Sequence, residues 1–108
     1  MPSSVRSYNL DKLDGTNYLT WAMRVTLLLK HASIWDVASG MTPKLADNSP
    51  HLHDWNTKDL QAQKEILFHL GDRQAQLVQL CTPSTTMWST LRSHYHHEDL
   101  ITRVTYLK

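Results

Sequence analysis

Histidine is the residue type in this sequence that most clearly suggests a metal site, because seven histidines occur in 108 residues and most of them are grouped. His51 and His53 form one pair, and His94, His96 and His97 form a second group. Zinc sites use three or four ligands from cysteine, histidine and carboxylate side chains, held in a fixed geometry. The pair lies among turn-forming residues, and the second group lies late in a predicted helix, where a protonated imidazole also suits the helix dipole. We therefore predict no metal site.

Two further patterns resemble catalytic motifs, and each has a simpler structural interpretation. Asp14-Gly15-Thr16 has the residues of an aspartic-protease loop in the wrong order, and its place before a helical pattern favours a turn. Cys81, the single cysteine, falls on an apolar helical face and is typical of a buried small hydrophobe. The three glycines are far apart, so no glycine loop for phosphate binding exists. We predict that the chain is not an enzyme and binds no cofactor.

Composition and charge narrow the class of protein. The net charge is +1 and basic residues alternate with acidic ones, so the sequence lacks the basic block of a strong nucleic-acid binder. No apolar run approaches the length that crosses a membrane, and the first residues do not begin a signal peptide. A single cysteine excludes an internal disulfide, which is typical of a reducing compartment. We expect a cytoplasmic protein with no membrane partner.

The stretch Leu13–Ala32 predicts the first helix, around which the others should pack. Asp14-Gly15 indicates a turn, and Thr16 or Asn17 can supply the N-cap. Apolar residues then recur at steps of three and four, which places them on one helix face: Tyr18, Trp21, Val25, Leu28 and Ala32, widened by Ala22 and Leu29.

A second short helix is predicted over 33–40, with Ser33 as its N-cap and Gly40 as its terminator. The stretch Met41–His53 contains prolines, asparagine and serine, and we interpret it as a surface loop. The helical pattern resumes at Asp54, and its inner face contains Trp55, Ala62, Ile66, Leu67 and Leu70.

Gly71-Asp72 ends that helix and begins the next, whose inner positions are Ala75, Val78 and Cys81. Thr82-Pro83-Ser84 breaks the pattern and caps a further helix that contains Met87, Trp88, Leu91 and Tyr95. A last helix is predicted from Asp99 with Leu100, Val104 and Leu107 in register. Its apolar face is still periodic at Lys108, so we expect the natural protein to continue.

These patterns together predict an all-α domain, a compact bundle of five or six helices. Residues 1–15 form an N-terminal arm and residues 16–108 the helical domain, truncated at its C-terminal end. The predicted core contains residues from every strongly periodic segment: Tyr18, Trp21, Val25, Leu28, Trp35, Ile66, Leu70, Val78, Trp88, Leu91 and Tyr95.

Two motifs carry a resemblance to a known family. The motif LDGxNYxxW over residues 13–21, followed by a helix ending near Ile34-Trp35, resembles the start of the Gag polypeptide of copia-type LTR retrotransposons. The motif WxxLxxxY over residues 88–95 is similar to a later signature of that family. The first motif is fairly specific to the family. The second motif is generic by itself and supports the resemblance only through its position in the chain. The resemblance covers roughly Leu13 to Leu107 and implies the N-terminal lobe of the capsid region.

The resemblance implies a structural Gag domain that contributes subunit contacts in a virus-like particle, which packages the RNA of the element. Other Gag subunits would be its partners, and RNA would be bound through segments outside this chain, because the zinc knuckle of the family is absent here. The alternative is a domesticated Gag-derived domain that binds a host protein. Direct RNA binding is a third class, and the even charge distribution disfavours it.

Subunit contacts are expected in the polar, exposed parts of the chain, namely the arm and the loop. Shell proteins need weak, repeated contacts, which small patches on a nearly neutral surface can provide. The candidate contact residues lie in or beside the predicted loop: Met41, Leu45, His51, His53 and Trp55.

Overall fold

The helical periodicity of the sequence corresponds to five α-helices and a π-helix in the computed structural model, which describes residues 12–96. The elements are α1 (Tyr18–His31), α2 (Trp35–Ser39), α3 (Leu52–Phe68), α4 (Asp72–Leu77), α5 (Ser84–Leu91) and the π-helix Arg92–His96. Within 12–96 no strand occurs, and the predicted all-α bundle is confirmed. Most of the predicted arm and the helix predicted from Asp99 lie outside the described residues.

The turn before α1 is built differently from the predicted N-cap. Asn17 occupies the N-cap position but makes no side-chain cap bond. Its Nδ2 donates to the Lys12 carbonyl at 3.1 Å, and its Oδ1 accepts from the Asp14 amide at 3.1 Å. The Asp14 carboxylate accepts from both the amide and the hydroxyl of Thr16, at 2.8 and 2.7 Å. These side chains stabilise the turn itself, and the Asn17 side chain does not cap the helix.

The segment before this turn is attached to the far end of α3. The Leu13 amide donates to the His69 carbonyl and the Gly71 amide donates to the Leu13 carbonyl, each at 2.9 Å. Leu13 and Leu70 thereby form an isolated parallel bridge, and the Leu13 side chain is fully buried. Leu13 and the α3–α4 junction therefore form one structural unit, although 57 positions separate Leu13 from Leu70 in the sequence.

The buried stripe of α1 differs from the predicted one near its end. The structure buries Tyr18, Trp21, Val25 and Leu29, whereas Leu28 is only half-buried and lies at the edge of the stripe. Ser33 is not the N-cap of α2, because it adopts a positive φ of 62° that turns the chain out of α1, and Ile34 takes the cap position. Gly40 ends α2 with a φ of 88°, the left-handed conformation that favours glycine.

The core lies where α1, α3 and α5 meet. Trp21 of α1 stacks on Trp88 of α5 at a centroid separation of 5.6 Å, and Trp35 meets the edge of Trp88 at 5.3 Å. The Trp21 indole also donates to the His69 carbonyl at 2.6 Å, which links α1 to the end of α3. Offset and edge-on aromatic pairs stabilise a core beyond the area that they bury.

Candidate functional site

The structure places most of the predicted core residues in the interior. Eight of them are buried: Tyr18, Trp21, Val25, Ile66, Leu70, Val78, Leu91 and Tyr95. Trp35 and Trp88 are half-buried and pack against this cluster, as does Cys81. Leu67, expected on the inner face of α3, is instead exposed and lines a groove described below. The four tryptophans therefore contribute to structure rather than to an open binding surface.

The candidate contact residues differ in their accessibility. Met41, His51 and His53 are exposed and Leu45 is half-buried, so these four are accessible. Trp55 is only 6% exposed, and its indole donates to the Thr42 carbonyl at 2.8 Å. Trp55 is therefore not accessible at the surface of the bundle, and its side chain holds the loop against the bundle from the inside.

A buried carboxylate joins α3 to α5, and sequence reasoning missed it. Asp59 is 6% exposed, and its Oδ1 accepts from the amide and the hydroxyl of Ser84 at 2.9 and 2.7 Å. Its Oδ2 accepts from Gln63 Nε2 at 2.8 Å. The carboxylate thus satisfies an amide in the first turn of α5, which otherwise lacks a side-chain cap. Its spacing of four from Trp55 and three from Ala62 is the sequence signal that places it on the buried stripe.

An apolar groove runs between α3 and the opposite wall formed by residues 78–82 and Met87 of α5. Its volume is about 570 Å³. The α3 wall contains exposed apolar side chains, of which Leu60 and Phe68 are each 67% exposed. Lys64 is the one charged residue among those that line it. Asp59 determines the geometry of this groove, because it fixes the start of α5 against α3.

A second apolar patch lies on α1, on the side of the helix away from the buried stripe. Met23 and Leu27 are 65% and 68% exposed, four residues apart on one helix face. Thr26 and Lys30 border the same shallow depression. Exposed apolar patches on a small protein are typical of surfaces that bind another protein.

The histidines that the structure describes show no arrangement that would hold a metal. Among residues 12–96, no group of three histidine, cysteine, aspartate or glutamate side chains is close enough to bind a metal ion. His69 Nδ1 lies 2.6 Å from the Glu65 carbonyl, and the His94 ring packs edge-on against Tyr95. In the same part of the chain, no helix has the length and apolar character of a membrane span.

An ionisable group with a changed pKa lies in the turn before α1. Hydrogen bonds from the hydroxyl and amide of Thr16 hold the pKa of Asp14 below its ordinary value of 3.8. This carboxylate is exposed and its bonds are local, which is typical of a turn and not of a catalytic acid.

Comparison with family models finds a match to the gag-polypeptide of LTR copia-type over residues 23–108. Neither the curated proteins nor the solved structures contain a match to the chain. The matched range starts within α1 and includes α2 to α5, so it contains both walls of the groove and the bond between Asp59 and Ser84. The aromatic contacts between Trp35 and Trp88 also lie within it.

Proposed function

This chain belongs to the gag-polypeptide family of copia-type LTR retrotransposons, and we propose that it is a capsid-like lobe whose outer surfaces join subunits of a particle. The particle forms in the cytoplasm and encloses the RNA of the element. RNA is bound by segments outside this chain, since the net charge here is only +1 and no basic block is present.

The observation that supports this role is the combination of a well-packed core with large apolar side chains left at the surface, both within the described residues. The core of α1, α3 and α5 is filled by buried side chains, so Leu27, Leu60 and Phe68 have no place in it. Burying such residues between copies removes apolar area from water, which stabilises the contact by about 25 cal/mol per Å² of buried apolar surface. Contacts through a few such side chains are individually weak and can be repeated across a shell. Weak contacts that form wrongly can dissociate and be corrected during assembly.

The loop between α2 and α3 is a further contact region in this proposal. Met41 is 74% exposed, and Leu45, His51 and His53 are accessible beside it. The loop is attached at its start by Trp55 and by the Thr42 hydroxyl, which donates to Asp36 Oδ2 at 3.0 Å. An anchored loop presents its side chains in one arrangement, and less conformational entropy is then lost on contact.

The test is particle formation by the Gag polypeptide expressed at its natural length. We expect shells by negative-stain electron microscopy and RNA that is protected from nuclease. Leu27→Glu places a charge in the α1 patch and should reduce the number of particles strongly. Asn56→Glu is the matched control, because Asn56 is exposed on α3 and lines neither patch.

Two results would contradict the proposal. A monomeric polypeptide without nuclease-protected RNA would exclude the shell role and would favour a domesticated domain that binds a host protein. Normal particles from Leu27→Glu and from a variant combining Met41→Ser with His51→Ser would show that neither surface contributes contacts.

A further inference from the structure

Exposed apolar side chains are concentrated at the groove between α3 and the opposite wall of residues 78–87. Within residues 12–96, eight large apolar side chains are exposed, and half of them lie on the α3 wall or at the rim of this groove: Leu60, Leu67, Phe68 and Leu80. Such a concentration in one region is typical of a surface that binds another protein. The arrangement of Leu80 beside the groove indicates which protein that is.

Leu80 projects from a ridge, residues 78–82, that forms the rim of the groove. Gln79 and Cys81 on either side of Leu80 line the groove, whereas Leu80 does not line it and is 91% exposed. The ridge is attached to the core, because Val78 is buried and Cys81 packs against the same cluster. Its backbone is closed by a hydrogen bond from the Cys81 amide to the Val78 carbonyl at 2.9 Å. Leu80 is therefore held beside the groove with its side chain in solvent.

A projecting side chain and a groove that lie side by side are complementary to each other in a twofold dimer. A half-turn about an axis that runs between Leu80 and the groove places Leu80 of each copy over the groove of the other copy. This isologous contact uses the same residues twice and closes at two copies. We infer that this face binds a second copy of the chain, with Leu80 of each copy inserted between the ridge and α3 of the other.

The charges at this face are compatible with the contact. Residues 78–82 are uncharged, so the ridge of a second copy brings neither a second cation nor an unpaired carboxylate to Lys64. Each Lys64 faces a ridge, because ridge meets groove in the twofold arrangement. Lys64 is exposed, and its long side chain can pack its methylene groups on the ridge while the ammonium group stays in water. The α1 patch is a poorer occupant of the groove, since Lys30 borders it and would approach Lys64.

The apolar area at this face corresponds to a weak, reversible dimer. A free leucine or phenylalanine side chain presents roughly 150–200 Å², so the four side chains at the groove together expose about 400–500 Å² per copy. Two copies would bury about 800–1,000 Å² of apolar surface, which is below the ~1,200 Å² at which stable interfaces begin. The inference depends on the proposed function only in taking a second copy as the partner, and it can be tested without particles.

Analytical ultracentrifugation of the 108-residue chain measures this contact. Between about 10 μM and about 1 mM we expect a reversible monomer–dimer equilibrium with no larger species. Leu80→Glu places a carboxylate in both contacts of the dimer and should raise the dissociation constant by at least about tenfold. Leu27→Glu is the matched control, because Leu27 is also exposed but lies in the α1 patch, and it should leave the equilibrium unchanged. Both side chains are outside the core, so circular dichroism should show the same helical content in each variant.

Charge exchange identifies the two surfaces that meet. Leu60→Lys places a second cation in the groove beside Lys64 and should also weaken the dimer. An equimolar mixture of the Leu80→Glu and Leu60→Lys chains should form heterodimers, because one contact pairs the two introduced charges and the other contact is unmodified. A mixture of Leu80→Lys and Leu60→Lys chains is the control and should form far fewer heterodimers, since its introduced charges repel.

Four results would overturn the inference. A monomer at every concentration would do so and would leave the groove to a helix of another protein. Species larger than a dimer would exclude the twofold arrangement. Equal weakening by Leu27→Glu and Leu80→Glu, or no heterodimer from the Leu80→Glu and Leu60→Lys mixture, would show that ridge and groove do not meet. Failure of the Gag polypeptide to form particles, with this dimer still present, would contradict the proposed function alone.

Discussion

Replacement of Asp59 by alanine tests how α3 holds α5 in place. The substitution removes a carboxylate that accepts three hydrogen bonds, two of them from Ser84. Ser84 is fully buried, so neither its amide nor its hydroxyl can bond to water after the change. Gln63 is only half-buried and can bond to solvent instead.

The expected loss follows from these two buried donors. Hydrogen bonds to a charged group contribute about 1.5–3 kcal/mol each, and an unsatisfied buried donor destabilises by about 1–3 kcal/mol. Removal of the desolvated carboxylate offsets part of this loss, since a buried charge is itself unfavourable. We expect Asp59→Ala to lower the free energy of unfolding by about 3 kcal/mol, a large fraction of the ~5–15 kcal/mol typical of a domain.

Urea unfolding monitored by tryptophan fluorescence measures this loss. Trp88 lies in α5 and stacks on Trp21, so its emission reports on the position of that helix. With a denaturant slope of about 1.5 kcal/mol per M, the midpoint should fall by about 2 M. Asp47→Ala is the control, because Asp47 is exposed in the loop and should change stability by less than about 0.5 kcal/mol.

A double-mutant cycle separates the hydroxyl from the amide of Ser84. Ser84→Ala removes the hydroxyl and leaves the amide bond to Asp59, so we expect a loss of about 1.5 kcal/mol. The two substitutions should be non-additive by about 1.5 kcal/mol, since they share one hydrogen bond. Equal midpoints for Asp59→Ala and Asp47→Ala, with additive effects in the cycle, would refute the role assigned to this carboxylate.

Three further substitutions test other contacts. Trp21→Phe removes the indole donor to the His69 carbonyl and part of the stack on Trp88, and should lower the free energy of unfolding by about 1–2 kcal/mol in urea. Gly71→Ala should destabilise by about 1–2 kcal/mol, because its Cβ would lie 2.9 Å from the Leu13 carbonyl oxygen, a backbone atom that must move; unchanged stability would show that this junction is loose. Asp14 has a lowered pKa when folded, so it stabilises the folded state above its ordinary pKa of 3.8, and this contribution is lost as the pH falls through the lowered pKa. Asp14→Ala should therefore unfold in urea with a smaller decrease in midpoint between pH 5 and pH 3 than the unmodified chain.

Local patterns were sufficient to predict the helices and much of the interior. The three-four spacing of Tyr18, Trp21 and Val25 predicts a helix and its buried face, because side chains at that spacing share one side of an α-helix in any context. Gly40 ends α2 in the left-handed conformation for an equally local reason. The motif over residues 13–21 indicated the copia-type Gag family, which the family match confirms.

The structure differs from the sequence-based predictions of burial where a residue packs against a distant part of the chain. Near the end of α1, positions 28 and 29 are both leucine, so residue type does not distinguish them. The position of the neighbouring helices decides that Leu29 is buried. Trp55 was expected on the inner face of its helix and also, because it flanks a polar loop, as a candidate contact residue. The structure buries it, and a carbonyl 13 residues earlier accepts its indole hydrogen bond. Each outcome requires a partner surface that spacing within one helix does not specify.

The sequence by itself determined the helical class, the buried faces of the longer helices and the family. Only the tertiary structure decided that Asp59 meets Ser84, 25 residues away, and that Leu13 pairs with Leu70. It also decided that residues 57–68 face residues 78–87 across an apolar groove. The physical reason is range: helical periodicity acts over a few residues, whereas a groove and a buried hydrogen bond exist only once separate helices have packed together.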